Sequence, residues 1–466
     1  MNALAARRRA TAAGFTRRGA CPALSAPMQT GDGLLARLNP VAGGLSPKAL
    51  IGLCKAALRH GNSVVEVTAR GSLQIRGLTP ESAALLATEV DALGIAVRTG
   101  IPVQTGALAG VDPNEIADPA ALAESIRNAI VAAGLDGRLG PKVSVVVDGG
   151  GRSGMEDVAA DVRLTAVREG TNTLWQISID GDAATAKPLA LLNYPAAVDA
   201  CIEVLQAIAA MGIAARARDL PAGREGRGHG YLATLPLVGD MSGTERANVK
   251  RNTANYLTCL GVFPLTETRY ALGIALPFGH TNADKLIAFA EIAVALAIVD
   301  LRLAPKRTIL ALCPSQESAE TLQKEAEKLG FVISSSDPRT HISACPGAPA
   351  CASGHIAARE VAAEIANEYS DMLDGSFDLH ISGCAKGCAH PGGAGLTIVG
   401  GENGAGLVVN GTARGAPLAY TARDGVSRAF GSVAGLLGSE IKINENSALR
   451  LSRLGAKEIA EAFGKE

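Results

Sequence analysis

Four cysteines in two short segments are the residues of this chain whose type and spacing most clearly indicate chemistry. They form a C-x5-C pair and a C-x3-C pair separated by about thirty residues of helical periodicity: Cys345, Cys351, Cys384 and Cys388. Four thiolates can hold a cubane iron–sulfur cluster or a tetrahedral zinc ion. Structural zinc usually has spacers of about two to four residues in both pairs, so the five-residue spacer favours the cluster. Zinc, or buried thiols without a metal, is the alternative interpretation.

Glycine and proline are concentrated around both cysteine pairs. The residues concerned are Pro346, Gly347, Pro349, Gly383, Gly387, Pro391, Gly392 and Gly393. Such residues keep backbone N–H groups close to a ligand and outside regular helix or strand pairing. We therefore expect two irregular loops around the bound group.

The cysteine motif resembles that of the sirohaem-dependent sulfite and nitrite reductases. In those enzymes the four cysteines bind a 4Fe–4S cluster, and the last one also bridges to the sirohaem iron. The resemblance implies that the four cysteines are cluster ligands and that Cys388 faces a tetrapyrrole. Within this superfamily, the segments G-C-A-K-G-C-A-H-P (383–391) and R-R-G-A-C-P-A-L-S-A-P-M-Q-T-G-D-G-L-L (17–35) resemble the precorrin-3B synthase family. This resemblance runs from about Arg17 to the C-terminal region.

The resemblance implies an oxidoreductase of the monooxygenase type in aerobic cobalamin biosynthesis. Its substrates would be precorrin-3A and dioxygen, and its product would carry a hydroxyl at C20 and a lactone from the ring A acetate. We expect the cluster to pass single electrons from a separate donor protein to an additional non-haem iron. The substrate would take the place that sirohaem has in the reductases, with sirohaem itself as the alternative. The other hypotheses are a sirohaem-dependent sulfite or nitrite reductase and a non-catalytic iron–sulfur redox protein.

Two side chains beside the last cysteines are candidate catalytic residues together with Cys388. Lys386 lies between the last two cysteines, where it would tune the charge of the cluster or meet a substrate carboxylate. His390 follows Cys388 by two residues and would ligate a second iron or move a proton. A hydrogen bond that stabilises the turn is an equally good interpretation of His390. The sequence does not rank the other nearby histidines, His341, His355 and His380.

A tetrapyrrole with acetate and propionate arms needs several fixed cations. Three candidates lie in segments that resemble the anion-binding stretches of the reductases: Arg70, Arg98 and Lys142. The chain has Gly71 where those enzymes have glutamine, and Ser144 where they have a second lysine, which weakens a sulfite or nitrite reading. A surface salt bridge is the alternative for each cation, and Arg76 is a weaker fourth candidate.

Composition sets the scale of the molecule. The 466 residues predict two to four domains, and the net charge of −1 gives no reason to propose a nucleic-acid or membrane-surface partner. Five of the nine cysteines lie outside the motif without a framework spacing, so we predict a reducing, cytoplasmic location. The most apolar run, 286–304, carries charges and predicts a core helix followed by a strand, not a membrane span.

An internal duplication organises the chain. A shift of 236 aligns residues 43–94 with 279–330 without a gap, with eleven identities in 52 positions. The regions 139–167 and 377–399 also share a strand–turn–strand pattern, and only the second has the cysteines. We predict an α+β fold in which two ferredoxin-like halves alternate with two α/β lobes. The expected boundaries are a disordered leader 1–20, half one 21–95, lobe one 96–218, a linker 219–261, half two 262–335 and an iron–sulfur lobe 336–466.

Two further motifs can be explained as turns or loops without a functional role. Gly149, Gly151 and Gly154 spell G-x-G-x-x-G after a strand, but the next strand begins too soon for a crossover helix, so we predict a glycine turn and no NAD site. In the linker, Arg224, Arg227 and His229 would contact substrate carboxylates or lie in a solvated loop.

Overall fold

The computed structural model describes residues 22–41, 43–221, 259–438 and 445–464. The expected leader, and Arg224, Arg227 and His229 of the expected linker, lie outside the described residues. Within the described ranges, no helix is both long and apolar enough to cross a membrane.

The first ferredoxin-like half is an antiparallel sheet with two helices. Its elements are β1 (Met28–Thr30), β2 (Gly33–Leu38), β3 (Gly44–Leu45), α1 (Pro47–His60), β4 (Val64–Val67), β5 (Leu73–Leu78) and α2 (Pro80–Ala92). Ser46 caps α1 by accepting a hydrogen bond from the N–H of Ala49, and proline occupies the first turn of both helices. These helix starts are the ones that the sequence predicts.

The second half repeats the first at the predicted offset. Its elements are β11 (Gly261–Pro264), β12 (Tyr270–Ala275), β13 (His280–Asn282), α5 (Ala283–Ala295), β14 (Asp300–Ala304), β15 (Thr308–Cys313) and α6 (Gln316–Lys328). The shift of 236 maps α2 onto α6 at both ends. The duplication is therefore confirmed.

The two halves exchange a short strand. β3 of the first half pairs with β14 of the second, and β13 of the second half pairs with β4 of the first. Helices α1 and α5 pack against each other, and side chains of both halves form one continuous core. The two ferredoxin-like units are thus locked together as one body. The sequence gives no sign of this exchange, because strands of two or three residues show no alternation.

Each half is followed by a lobe of the same topology. The first contains β6 (Val103–Thr105), α3 (Pro119–Ala132), β7 (Val145–Asp148), β8 (Ala160–Glu169), β9 (Asn172–Gly181), β10 (Lys187–Leu192) and α4 (Tyr194–Ala210). The second contains β16 (Ile342–Ala344), α7 (Ala358–Glu368), β17 (Leu379–Ser382), β18 (Ala394–Gly401), β19 (Gly404–Gly411), β20 (Ala419–Thr421), α8 (Val426–Gly438) and α9 (Ser447–Phe463). In both, the first three strands are parallel and the last two continue antiparallel.

The G-x-G-x-x-G segment forms a loop and not a dinucleotide-binding turn. Residues 149–159 join β7 to its parallel neighbour β8 without a helix, and β8 then forms a long hairpin with β9. A Rossmann site requires a helix to begin at this point. The sequence expectation of a glycine turn agrees with the structure.

Candidate metal centre

The four cysteines lie on two loops that leave neighbouring parallel strands. Cys345 and Cys351 are in the loop after β16, and Cys384 and Cys388 are in the loop after β17. β16 pairs with β17 in parallel, with Ala344 opposite Ile381. Because parallel strands end at the same edge of a sheet, both loops emerge side by side. The topology therefore gathers the four thiols that the sequence predicts as ligands.

Gly383 allows the two loops to approach closely. Its N–H donates a hydrogen bond to the Sγ of Cys345 over 3.1 Å. A Cβ at this position would lie 2.8 Å from the Cα of Gly347 and 3.5 Å from that sulfur. Only a residue without a side chain fits here unless the backbone moves.

The thiols are close enough to interact electrostatically. Cys345 is buried, Cys351 and Cys384 are half-buried, and Cys388 is exposed as a whole residue. Partial burial of its thiol raises the pKa of Cys388, and the charges of Cys345, Cys384 and Cys351 raise it further, while Lys386 lowers it. Four thiolates in this place repel one another, so a bound cationic centre would stabilise them.

The arrangement does not resemble a single-ion site. In the described part of the chain, no group of three or more His, Cys, Asp or Glu side chains converges as one metal ion would require. A tetrahedral zinc holds its ligands within about 2.0–2.3 Å of one point. The spacing of the cysteine motif therefore remains the reason to prefer a cluster to zinc.

Lys386 and Cys384 border an open cavity. This cavity has a volume of about 610 Å³, and its lining includes Cys384, Lys386, His355 and Arg414. The Nζ of Lys386 donates a hydrogen bond to the Oγ of Ser353 over 3.0 Å. Lys386 and Arg414 give this opening a positive character beside a cysteine.

His390 lies against His380, one of the three nearby histidines that the sequence does not rank. Its Nε2 is 3.2 Å from the carbonyl oxygen of Gly393, and its ring centroid is 5.6 Å from that of His380. His380, on β17, is fully buried, and neither of its ring nitrogens has a hydrogen-bond partner among the described residues. Burial, with the charges of His390 and Arg307, lowers the pKa of His380 to about 4, so its ring is neutral at pH 7. A polar residue within an alternating strand would have been the only sequence signal.

The predicted substrate cations lie around the first lobe. Arg70, at the turn between β4 and β5, donates to Oε1 of Gln104 over 3.1 Å and to Oγ of Ser144 over 3.4 Å, and also contacts the carbonyl of Ala159. Ser144 is the residue found where the reductases have a second lysine.

Arg98 and Lys142, the other two predicted cations, differ in whether their charged groups have partners. Arg98 donates to the carbonyl of Val41 over 2.6 Å and lies 3.5 Å from Glu124. Lys142 is exposed, and its ammonium has no hydrogen bond or ion pair within the described ranges. A role in substrate binding stays a prediction for all three.

Comparisons with known proteins agree with this architecture. Residues 26–93 match the model of the family described as "Nitrite/Sulfite reductase ferredoxin-like half domain". The chain is 38% identical over 449 residues to a protein of Sinorhizobium sp named "Precorrin-3B synthase", covering 96% of this chain and 95% of the relative. It is also similar to the solved structure "Structure of Mycobacterium tuberculosis NirA protein", with a TM-score of 0.70, 17% identity, and coverage of 91% of this chain and 84% of that one. At that identity the structural likeness shows the fold alone, and it confirms the duplicated reductase-like architecture.

Proposed function

The chain belongs to the precorrin-3B synthase family of the sulfite and nitrite reductase superfamily, and from this premise we propose that it converts precorrin-3A to precorrin-3B. The observation that carries the proposal is the placement of four cysteines on two adjacent loops at one sheet edge, in a chain similar to that relative over nearly its whole length. Membership supports an enzyme that acts on a tetrapyrrole in cobalamin biosynthesis. The chemistry at C20 and the cofactor are parts of the proposal.

The proposed cofactor is a 4Fe–4S cluster held by Cys345, Cys351, Cys384 and Cys388. When bound, such a cluster transfers single electrons at a potential set by nearby charge, hydrogen bonds and solvent. The N–H of Gly383 would stabilise the ligand sulfur of Cys345 by its hydrogen bond. Lys386 would offset part of the negative charge of the thiolates, since it already lowers the pKa of Cys388. We also propose a reducing cytoplasmic location, where free thiols persist.

The proposed reaction is a monooxygenation. One atom of dioxygen becomes the hydroxyl at C20 of the macrocycle, the ring A acetate closes a lactone, and the other atom of dioxygen leaves as water. The balance requires two electrons and two protons, which a separate donor protein and solvent would supply. The basic cavity beside Cys384, with Lys386 and Arg414 in its lining, supports a donor with an acidic surface.

An additional non-haem iron remains part of the proposal without assigned ligands. The described residues present no set of three or more His, Cys, Asp or Glu side chains for it. His390, whose Nε2 lies near the carbonyl of Gly393, would hold or move a proton beside Cys388. The buried, neutral ring of His380 would pack against the ring of His390 and hold it in position.

The test of this function is turnover of precorrin-3A by the full-length holoprotein. With a dithionite-reduced viologen as donor, we expect precorrin-3A to be consumed in air and to persist under argon. Labelled dioxygen should place one heavy oxygen atom in the product. Consumption of sulfite or nitrite, with precorrin-3A untouched in air, would overturn the proposal in favour of a reductase.

Lys142 offers the cleanest test of substrate binding, because its ammonium has no partner to lose among the described residues. A hydrogen bond to a charged group contributes about 1.5–3 kcal/mol. Lys142→Ala should therefore raise the KM for precorrin-3A about tenfold or more, with a smaller effect on kcat. Arg168→Ala, at the exposed end of β8, is the matched control and should leave KM unchanged. Equal KM values in both variants would remove Lys142 from the site.

A further inference from the structure

One arginine of each ferredoxin-like half donates a hydrogen bond to one of the two cysteine loops. Arg76 of β5 donates a hydrogen bond over 2.7 Å to the carbonyl of Ala350, the residue before Cys351. Arg307, directly before β15, donates over 3.3 Å to the carbonyl of Ala389, the residue after Cys388. The two loops are therefore each tied to a different half of the duplicated body.

A buried carboxylate pairs with the first of these arginines and with a third one, Arg359. Glu66 of β4 is 4% exposed, and its Oε1 lies 2.7 Å from Arg359 of α7 and 3.7 Å from Arg76. Arg76 is also 4% exposed and forms a second ion pair with Asp32 at 2.7 Å. Arg76 is therefore enclosed and paired, and its role as a weaker fourth candidate for substrate binding stays a prediction.

The charged side chains around the two cysteine loops carry a net positive charge. Burial lowers the pKa of Arg307 to about 10, with a further contribution from Arg359, and Glu66 opposes the shift. Arg307 therefore stays protonated at neutral pH. Three guanidinium groups (Arg76, Arg307 and Arg359) and two carboxylates (Glu66 and Asp32) leave one net positive charge among these five side chains. The thiolate of Cys351 contributes to the field that Arg76 experiences.

We propose that the buried charged side chains of Arg76, Arg307 and Glu66 position the two cysteine loops and set the reduction potential of the group they hold. This inference rests on the proposed function, in which that group is an iron–sulfur cluster. Net charge near a cluster is one of the main determinants of its potential. Each arginine stabilises the reduced state, which has one more negative charge, whereas Glu66 opposes it.

The test is a redox titration of the cluster in the full-length holoprotein. One electron per cluster is supplied by dithionite through mediators, and the reduced fraction is followed by electron paramagnetic resonance. At the wild-type midpoint, Arg76→Gln and Arg307→Gln should each lower the ratio of reduced to oxidised cluster about tenfold, which is 59 mV for one electron. Glu66→Gln should raise the ratio by a similar factor. Arg59→Gln, whose side chain is 54% exposed and pairs with Glu89 on the surface of the same half, should not change it.

The arginine and glutamate variants are expected to shift the ratio of reduced to oxidised cluster in opposite directions. This difference distinguishes an electrostatic role from structural damage. If Arg76→Gln, Arg307→Gln and Glu66→Gln all shift the ratio in the same direction, or keep full cluster content with no shift, the inference is wrong. Arg76→Lys and Arg307→Lys retain the charge and should titrate close to the wild type. If Arg76→Gln and Arg307→Gln lose the cluster, the two lysine variants and Glu66→Gln decide whether the inference holds. A wild-type protein without a cluster would instead refute the proposed function, so the two failures are distinguishable.

Discussion

Replacing Cys384 by alanine should leave a folded protein that has lost most of its iron and its oxygen-dependent turnover of precorrin-3A. Cys384 is half-buried on the loop after β17 and lines the cavity beside Lys386. Without it, three thiolates remain and one corner of a cluster has no protein ligand. Even outer-shell partners of a metal typically contribute about 10–100-fold to affinity, so we expect at least about a tenfold loss of bound iron. Iron analysis of the anaerobically purified variant, with circular dichroism for its fold, measures this effect.

Cys201→Ala is the matched control for that variant. Cys201 is a buried cysteine on α4 of the first lobe, and burial raises the pKa of its thiol to about 12. It therefore stays a neutral thiol and should have no part in metal binding, so its replacement should leave the iron content unchanged. Full iron in the Cys384→Ala variant, or equal loss in both, would contradict the assignment of ligands.

The second large effect is expected from a single methyl group at Gly383. Gly383→Ala would bring a Cβ within 2.8 Å of the backbone of Gly347 and within 3.5 Å of the sulfur of Cys345. The residue that carries this methyl group also donates the N–H bonded to that sulfur. Overpacking of this kind costs about 1–3 kcal/mol, and here the strain falls on the contact between the two cysteine loops. We expect a lower Tm and at least about a tenfold loss of iron.

A glycine in open space provides the comparison. Gly435 lies in α8, and no heavy atom outside its own helix turn would be within 4 Å of an added Cβ. Gly435→Ala should keep the iron content and stabilise the helix by about 0.5–1 kcal/mol. Normal iron and an unchanged Tm in Gly383→Ala would show that the two loops do not need their close approach.

The duplicated fold and the meeting of the cysteines were accessible from sequence because both have local or periodic signatures. The offset of 236 and the proline starts of the helices can be read along the chain. The second cysteine pair follows a strand that the sequence predicts at 379–381, and parallel strands bring their ends together. The strand exchange between β3 and β14 lacked such a signature, because β3 has only two residues.

The side chains that surround the centre were harder to predict, because their partners are distant in sequence. Arg76 alternates in β5 as an exposed residue would, yet it is buried by a loop 274 positions away. Its partner Glu66 is likewise paired with Arg359 across 293 positions. His380 reads as one polar residue in a strand, and only the tertiary structure places its ring against His390. Burial by another lobe decides these roles, and a single sequence does not encode that burial locally.

The most direct test of the central claim is a metal and sulfide analysis of anaerobically purified wild-type protein, with electron paramagnetic resonance after reduction. We expect about four cluster irons and four acid-labile sulfides per chain, a signal from a reduced 4Fe–4S cluster, and no stoichiometric sirohaem. One zinc ion per chain without labile sulfide would contradict that claim. That result would mean that the four thiols form a structural zinc site.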